Sequence, residues 1–301
     1  MRFGINVPNF GPSADPARLH DWCVRLEETG FHSIMMSDHV AVTPDVARLF
    51  PAPFYDPLTT LAWLAGITRT AQLGTTALIL PYRHPLQTAR VTATLDQLSG
   101  GRLILGVAAG WAPQEFAALG LDYARRGELM DEHLEALTRL WTQELTSYRG
   151  RFVNFENVRT APRPVRRRPP LWIGGHSQAA MRRAVQHGTA WHPTSLTMPD
   201  LVAGVSRLAA LADRLGRPTP ETAPRIKLRL TDAPLGDHQR LAGEGTPDQI
   251  HSDLVRLREL GIGHVVLDTA YPGVPFDEPR HWKAVRTLTE QLADLPRQAL
   301  R

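Results

Sequence analysis

Apolar and polar positions alternate in blocks along this chain: short runs with no polar face are each followed by a stretch whose apolar residues recur every three or four positions. The unit is clearest between Gln72 and Trp111. Gln72 to Leu80 is a run rich in Thr, Leu and Ile that stops at Pro81, as a buried strand does. Pro85 then suits a first helical turn, Val91, Leu95 and Leu98 repeat at helical spacing, and Gly100-Gly101 closes the helix. Leu103 to Ala109 is a second buried strand, broken by Gly110. Two strands without a polar face, joined by a helix, predict a parallel sheet covered by helices.

The same alternation extends to both ends. Phe3 to Val7 is a strand, followed by a helix from Asp15-Pro16 with Leu19, Trp22, Cys23 and Leu26 on one face and by a strand at Ser33 to Ser37. A second helix covers Asp56 to Thr70, a short one Pro113 to Leu119, and a long one Arg125 to Thr146, with Met130, Leu134, Leu137 and Trp141 as its apolar stripe. Thr146 to Val158 interrupts the rhythm as a small hairpin, Tyr148, Phe152, Val153 and Phe155 flanking Gly150. Strands follow at Leu171 to Ile173, Thr189 to His192, Ile226 to Leu230 and Val265 to Asp268. Their helices are Gln178 to His187, a segment bearing Leu201, Val205, Leu208 and Ala212, one opened by Thr246-Pro247-Asp248-Gln249, and one marked by Trp282, Val285, Leu288 and Leu292. Thr246 to Gln249 combines an N-cap, a first-turn Pro and a capping-box Gln. Eight βα units with no low-complexity linker predict an α/β fold: one closed (β/α)8 TIM barrel with insertions, a single domain over 1–301.

Composition narrows the function classes. At 43% hydrophobic and 21% charged residues the chain reads as an ordinary globular protein, with no apolar run long enough to span a bilayer and no signal peptide, so the expectation is cytoplasmic. Cys23 is the single cysteine and reads as buried packing. The net charge of +4 comes almost wholly from Arg, Lys occurring only at 227 and 283. The one dense cationic cluster, Arg163 to Arg168, lies among prolines as a stiff surface loop, which speaks against nucleic-acid binding and leaves a solvated loop or an anion rim.

Barrel active sites form at the carboxyl ends of the strands. Asp38-His39 places an acid and an imidazole at one such exit, where the imidazole can donate to an oxyanion or move a proton; the alternative is a turn cap with an exposed loop histidine. Gly174-Gly175-His176-Ser177 follows a strand and opens a helix, so its amides and Ser177 Oγ make a phosphate cradle or simply a tight turn with a Ser N-cap. Tyr82, Trp111 and Trp191 fall near strand ends and either wall a planar ring or belong to the core. His39, His84, His176 and His192 show no paired metal-ligand spacing, so no metal site is expected.

Asp38-His39, LGTTALILPYRHPL, LDQLSGGRLILGVAAGW and PLWIGGHSQAAMRRAVQHGTAWHP together resemble the bacterial-luciferase-like flavin or deazaflavin oxidoreductases, nearest the actinobacterial group assigned to coenzyme F420. The resemblance covers essentially the whole chain. It implies a ring system in the barrel mouth, its phosphate at Gly174, Gly175, His176 and Ser177, and a non-proline cis peptide at Thr76-Ala77 supporting the back of the ring. It also implies ring contacts from Ala109 and Gly110, and a catalytic His39, with Asp38 orienting it or contacting the cofactor. The chain departs from the group at Trp111, where some F420 dehydrogenases carry an acid, with Glu115 the candidate substitute, and at Gly188-Thr189-Ala190-Trp191 in place of Gly-Asp-Gly-Trp.

The expected function is therefore hydride transfer between reduced F420 and a small organic substrate. The runner-up is an FMN-dependent monooxygenase of the same fold, served by a separate reductase. A metal-dependent hydrolase and a non-catalytic ligand-binding barrel are more remote. The resemblance implies a homodimer. The loops Val40 to Tyr55, Leu196 to Pro199, Ala233 to Gly245 and Tyr271 to Pro279 are expected to shape an apolar mouth, and Arg166 to Arg168 to suit the acidic tail of F420.

Overall fold

Runs that are apolar on both faces need cover on both faces, and the computed structural model, which describes residues 1–236, 240–271 and 273–301, supplies it. In chain order come β1 (Arg2–Asn6), α1 (Pro16–Glu28), β2 (Ser33–Met36), α2 (Pro44–Ala47), α3 (Pro57–Ile67), β3 (Gln72–Thr75), β4 (Leu78–Ile79), α4 (Pro85–Leu98), β5 (Leu103–Ala108), α5 (Pro113–Ala118) and α6 (Arg126–Thr142). The antiparallel hairpin of β6 (Thr146–Arg149) and β7 (Asn154–Val158) precedes β8 (Leu171–Gly174), α7 (Gln178–His187), β9 (Ala190–His192), α8 (Met198–Arg214), β10 (Glu221–Thr222) and β11 (Arg225–Lys227). Then follow β12 (Arg229–Leu230), β13 (Glu244–Gly245), α9 (Pro247–Glu259), β14 (His264–Asp268) and α10 (Glu278–Thr287).

The main sheet is parallel, in the order β10-β9-β8-β5-β3-β2-β1-β14-β11, with β4 paired to β5. Its two ends are pieces of one segment: only Ala223-Pro224 separates β10 from β11, and Arg225 also bridges Thr194. The sheet thus curls back on itself. Side chains alternate between two apolar layers. Ile5, Ile34, Leu73, Leu105 and Leu267 pack outward under the helices, while Met35, Ile104, Trp172, Ala190, Ala223 and Val266 fill the inside. Two residues beyond Met35, Ala190, Ala223 and Val266 stand Ser37, His192, Arg225 and Asp268. A polar layer therefore sits on the apolar plug at the carboxyl end of the strands.

Three local expectations change. The strand from Gln72 splits into β3 and β4 around the Thr76-Ala77 peptide, which is cis. The strand expected at Ile226 to Leu230 begins earlier, in β10, and its last two residues leave the main sheet to pair with β13. Gly243, at φ +83°, permits that departure, because a Cβ there would lie 1.7 Å from the Lys227 carbonyl oxygen. On α4 only Leu95 of the expected stripe is buried; Val91 and Leu98 face outward. Its inner face is Thr88, Ala89, Thr92, Ala93, Leu95 and Asp96, small enough for Trp141 Nε1 on α6 to reach the Ala89 carbonyl at 3.4 Å. The Thr246 capping box forms as expected, and Cys23 is buried, its thiol pushed up by burial and by Glu27. Among the described residues, no helix is long and apolar enough to cross a membrane.

Buried histidines couple the fold to pH. Burial lowers His192 and His281 from 6.5 to about 4, and His264 well below 6.5. Below about pH 6.5 the unfolded chain takes up protons that the fold refuses, costing about 1.4 kcal/mol per pH unit for each such group. Thermal midpoints are therefore expected to be level above pH 7 and to fall from about pH 6.5 towards 4; a midpoint that stays level until carboxylates titrate, below about pH 5, would contradict this.

Candidate active site

A cavity of about 440 Å³ opens above the polar layer. Asp38, His39, Thr76, Ala77, Ala109, Gly110, Gly174, Gly175, His176 and Ser177 all line it, joined by Ser37, Phe50, Trp111, Arg126, Arg183, His192 and Arg225. Residues from the ends of β2, β3, β5 and β8 thus converge, as strand exits of a curled parallel sheet must.

His39 is held from behind. Its Nδ1 donates to Glu115 Oε2 at 2.6 Å, and Tyr82 OH donates to the same oxygen at 2.9 Å. The other oxygen, Oε1, accepts from the Val40 and Ala41 amides at 2.6 and 3.0 Å. Burial pushes the Glu115 carboxyl up, but the His39 hydrogen bond and the two amides outweigh it and hold it below its ordinary range. An ionised carboxylate only accepts, so Nδ1 carries the proton of the neutral ring and Nε2, without a partner among the described residues, is left to the cavity. Phe50, Phe54 and Trp111 surround the ring, with centroids 5.4, 5.4 and 5.5 Å away.

The orienting acid is thus Glu115 and not Asp38. Both Asp38 oxygens are taken by Arg83, at 2.6 and 2.8 Å, and Oδ2 also accepts from the Ile79 amide. Burial raises Asp38 above the ordinary carboxyl range, with Arg83 working against it. Asp38 ties the end of β2 to the segment beyond β4. Glu115 does not line the cavity and is ionised, so it does not replace the missing acid at Trp111 as a proton donor.

Across the cavity, Gly175 takes φ +102°, and Ser177 caps α7 by accepting from the Ala180 amide at 3.2 Å. Arg126 and Arg183 line this side; Arg183 is fixed by Asp131, at 2.6 Å, and by the Gly127 carbonyl. Trp191 Nε1 donates to the Gly175 carbonyl at 2.7 Å, so Trp191, like Tyr82, supports the wall from outside instead of walling a ring; only Trp111 of the three reaches the cavity. The Arg163 to Arg168 loop does not flank the site at all. The Val165 amide bonds Asp96 and the Arg163 carbonyl accepts from Gln97, at the end of α4 that leads into β5, opposite the mouth. Of the four loops expected at the mouth, Phe50 alone lines the cavity among the described residues; residues 237–239 and 272, in two of them, lie outside those described.

The floor is a network. His192 Nδ1 donates to the Ala223 carbonyl, so Nε2 accepts from the Thr76 hydroxyl at 2.8 Å. Arg225 donates to the Thr76 carbonyl at 2.7 Å and to Asp268 at 2.8 Å. Lys227 and Asn6 also bind Asp268; burial pushes its carboxyl up, but Arg225, Lys227 and Asn6 together outweigh this and hold it below the ordinary range. Sequence reasoning does not single out Arg126, Arg183 or Arg225; it names Glu115 only as a substitute acid, Arg83 only within the LGTTALILPYRHPL motif and His192 only among histidines without metal-ligand spacing. Among the described residues, no cluster of three His, Cys, Asp or Glu side chains suits a metal ion.

Residues 1–231 match the profile of the luciferase-like monooxygenase family. The chain is 30% identical to the oxygenase component of a flavin-dependent trigonelline monooxygenase of Acinetobacter baylyi, over 66% of this chain and 56% of that one. It is 32% identical to an F420-dependent glucose-6-phosphate dehydrogenase of Microbacterium testaceum, over 72% of this chain and 63% of that one. The match thus spans less than two thirds of either relative. The fold is similar to that of an F420-dependent secondary alcohol dehydrogenase solved with an F420-acetone adduct, at TM-score 0.81, 16% identity and 98% of both chains.

Asp38 and Arg83 form a buried pair, and removing one partner of such a pair costs about 3 kcal/mol or more. Asp38→Ala is expected to lower stability in urea titrations by that order; an unchanged midpoint would show that Asp38 is no anchor.

Proposed function

Because the chain belongs to the luciferase-like monooxygenase family, we propose that it is an oxidoreductase transferring hydride between coenzyme F420 and a small organic substrate at the barrel mouth. Bound there, the deazaflavin supplies the two-electron hydride donor or acceptor. The residues present fit such a group. A cavity of about 440 Å³ is of the size that cofactor sites have. The amide end of α7 with Arg126 and Arg183 suits a phosphate, and Thr76-Ala77 and Ala109-Gly110 offer backbone surface to a ring. Gly110 stands at φ +85°, where a Cβ would press on Ile79 and Phe116 at 2.8 and 2.9 Å.

The observation that carries the reading is that His39, backed by Glu115, faces the cavity that also holds the glycine turn at the start of α7. When hydride adds to a carbonyl carbon, the oxygen needs one proton, which His39 Nε2 is placed to give from the doubly protonated ring or, in reverse, to take from an alcohol when the ring is neutral. Glu115 keeps Nδ1–H in place and favours the protonated ring when it forms. Phe50 and Trp111 make the substrate side apolar and keep water from the imidazole. The relative named as F420-dependent supports the deazaflavin, and the relative named as flavin-dependent keeps FMN as the second reading.

The test is to titrate the purified protein with F420 and with FMN separately and follow fluorescence. Tighter binding of F420 is expected; preference for FMN, with oxygen consumed on reduction, would sink the proposal in favour of the monooxygenase reading. With a substrate in hand, His39→Ala is expected to lower kcat by about 10²- to 10⁴-fold with F420 affinity little changed. Glu115→Gln should lower kcat by less and alter its pH profile. Equal turnover in all three proteins would remove His39 from the chemistry.

A further inference from the structure

Among the described residues, one fully buried hydroxyl on the cavity floor is left without a hydrogen-bond partner. Ser37 lines the cavity at the end of β2, is 8% exposed, and buries its Oγ with no hydrogen-bond partner among the described residues. Strand alternation gives its direction. Ser33 Oγ meets His264 Nε2 inside the barrel at 2.9 Å and Met35 belongs to the inner plug, so Ser37 is the next inward position, above the plug.

Its main chain is fully engaged. The Ser37 amide donates to Asn9 Oδ1 at 3.1 Å, and its carbonyl accepts from Asn9 Nδ2 at 2.9 Å. That same Nδ2 donates to the Tyr55 carbonyl at 2.7 Å, so the exit of β1, the exit of β2 and the end of the long loop are locked together around this residue. The neighbouring floor groups are spent: Thr76 on His192, Arg225 on Asp268 and the Thr76 carbonyl, Asp38 on Arg83. Among the described residues, Ser37 is the only one lining the cavity that has a buried polar atom without a partner.

We propose that Ser37 Oγ is a cofactor-binding group, hydrogen-bonding the polar edge of the heterocyclic ring system, where carbonyl oxygens and ring nitrogens alternate. The proposal rests on the reading of the cavity as a deazaflavin or flavin site. A buried hydroxyl without a partner is a cost borne by the unliganded protein and relieved by a ligand that bonds it. The position is held by the Asn9 clasp, so the hydroxyl is presented without rearrangement of the backbone.

This gives Ser37→Ala an unusual signature. Without ligand the variant should melt no lower than the parent, because the clasp uses only main-chain atoms of residue 37. Its Kd for F420, read by fluorescence titration, should rise about 3- to 10-fold, the worth of one neutral hydrogen bond; if the parent prefers FMN, the same rise is expected for FMN. A lower melting temperature with unchanged Kd would make Ser37 a structural residue and overturn the proposal. So would an unchanged Kd accompanied by a raised substrate KM, which would put the hydroxyl on the substrate. If the parent binds neither cofactor, the functional reading and this inference fall together; if it binds one and Ser37→Ala binds it equally, only this inference falls.

Discussion

One buried carboxylate organises the His39 side of the cavity. Glu115 is fully buried, and its two oxygens take four hydrogen bonds, from an imidazole, a phenol and two successive backbone amides. An ionised carboxylate is costly to bury, and it is tolerable here because its acceptor sites are so well filled. The consequence is mechanical as well as electrostatic. A helix after β5, the tyrosine before α4 and the start of the long loop after β2 are joined at one point, and that point sits directly behind His39.

The same loop is secured a second time. Asp45 Oδ2 accepts from the Gln114 amide at 3.0 Å, and Phe54 stacks on Phe10 with centroids 5.3 Å apart. A segment from residue 40 to 55 would otherwise be an entropic burden beside a reactive group. Fixed in this way, it delivers Phe50 and Phe54 to the imidazole edge. Stability and chemistry are also divided along the barrel axis. The inner plug of Met35, Ile104, Trp172, Ala190, Ala223 and Val266 is apolar but for the Ser33–His264 pair packed against Trp172, whereas the layer above it spends most of its polar groups on one another, which is how charged side chains can be kept in the interior without leaving an unpaired charge.

The sequence made the architecture readable because burial on both faces of a strand and on one face of a helix leaves periodic traces. Thr246 to Gln249, Ser177 and Asp15 announce their helices through caps that form as the residue types predict. α4 misleads because its inner face is built from Ala and Thr, whose contact depends on closeness and not on hydrophobicity. The site was legible where residues touch the cavity, since strand exits can be counted. It was not legible where a residue works through another. Glu115 lies 76 positions from His39 and Asp268 lies 43 from Arg225, and no local pattern records a pairing across the barrel. Arg163 to Arg168 shows the converse: a conspicuous cluster in the sequence that the topology carries to the wrong end.

The arrangement across the mouth follows from strand order. β2, which ends in Ser37-Asp38-His39, and β8, which ends at the glycine turn, are separated in the sheet by β3 and β5, with β4 on β5. His39 and the glycine turn therefore stand apart, with the Thr76-Ala77 peptide and Ala109-Gly110 between them. A ligand that engages both must be long and must lie across that backbone surface, and a planar ring with a phosphate-bearing chain has this form. The two polar anchors would then fix its ends and leave its middle against the cis peptide. The carbonyl of Thr76 is already bonded to Arg225 and its hydroxyl to His192, so that wall presents shape more than hydrogen bonds. In the proposed reading, recognition of such a ring's polar edge would be left to the few groups beside it that the protein has not already used.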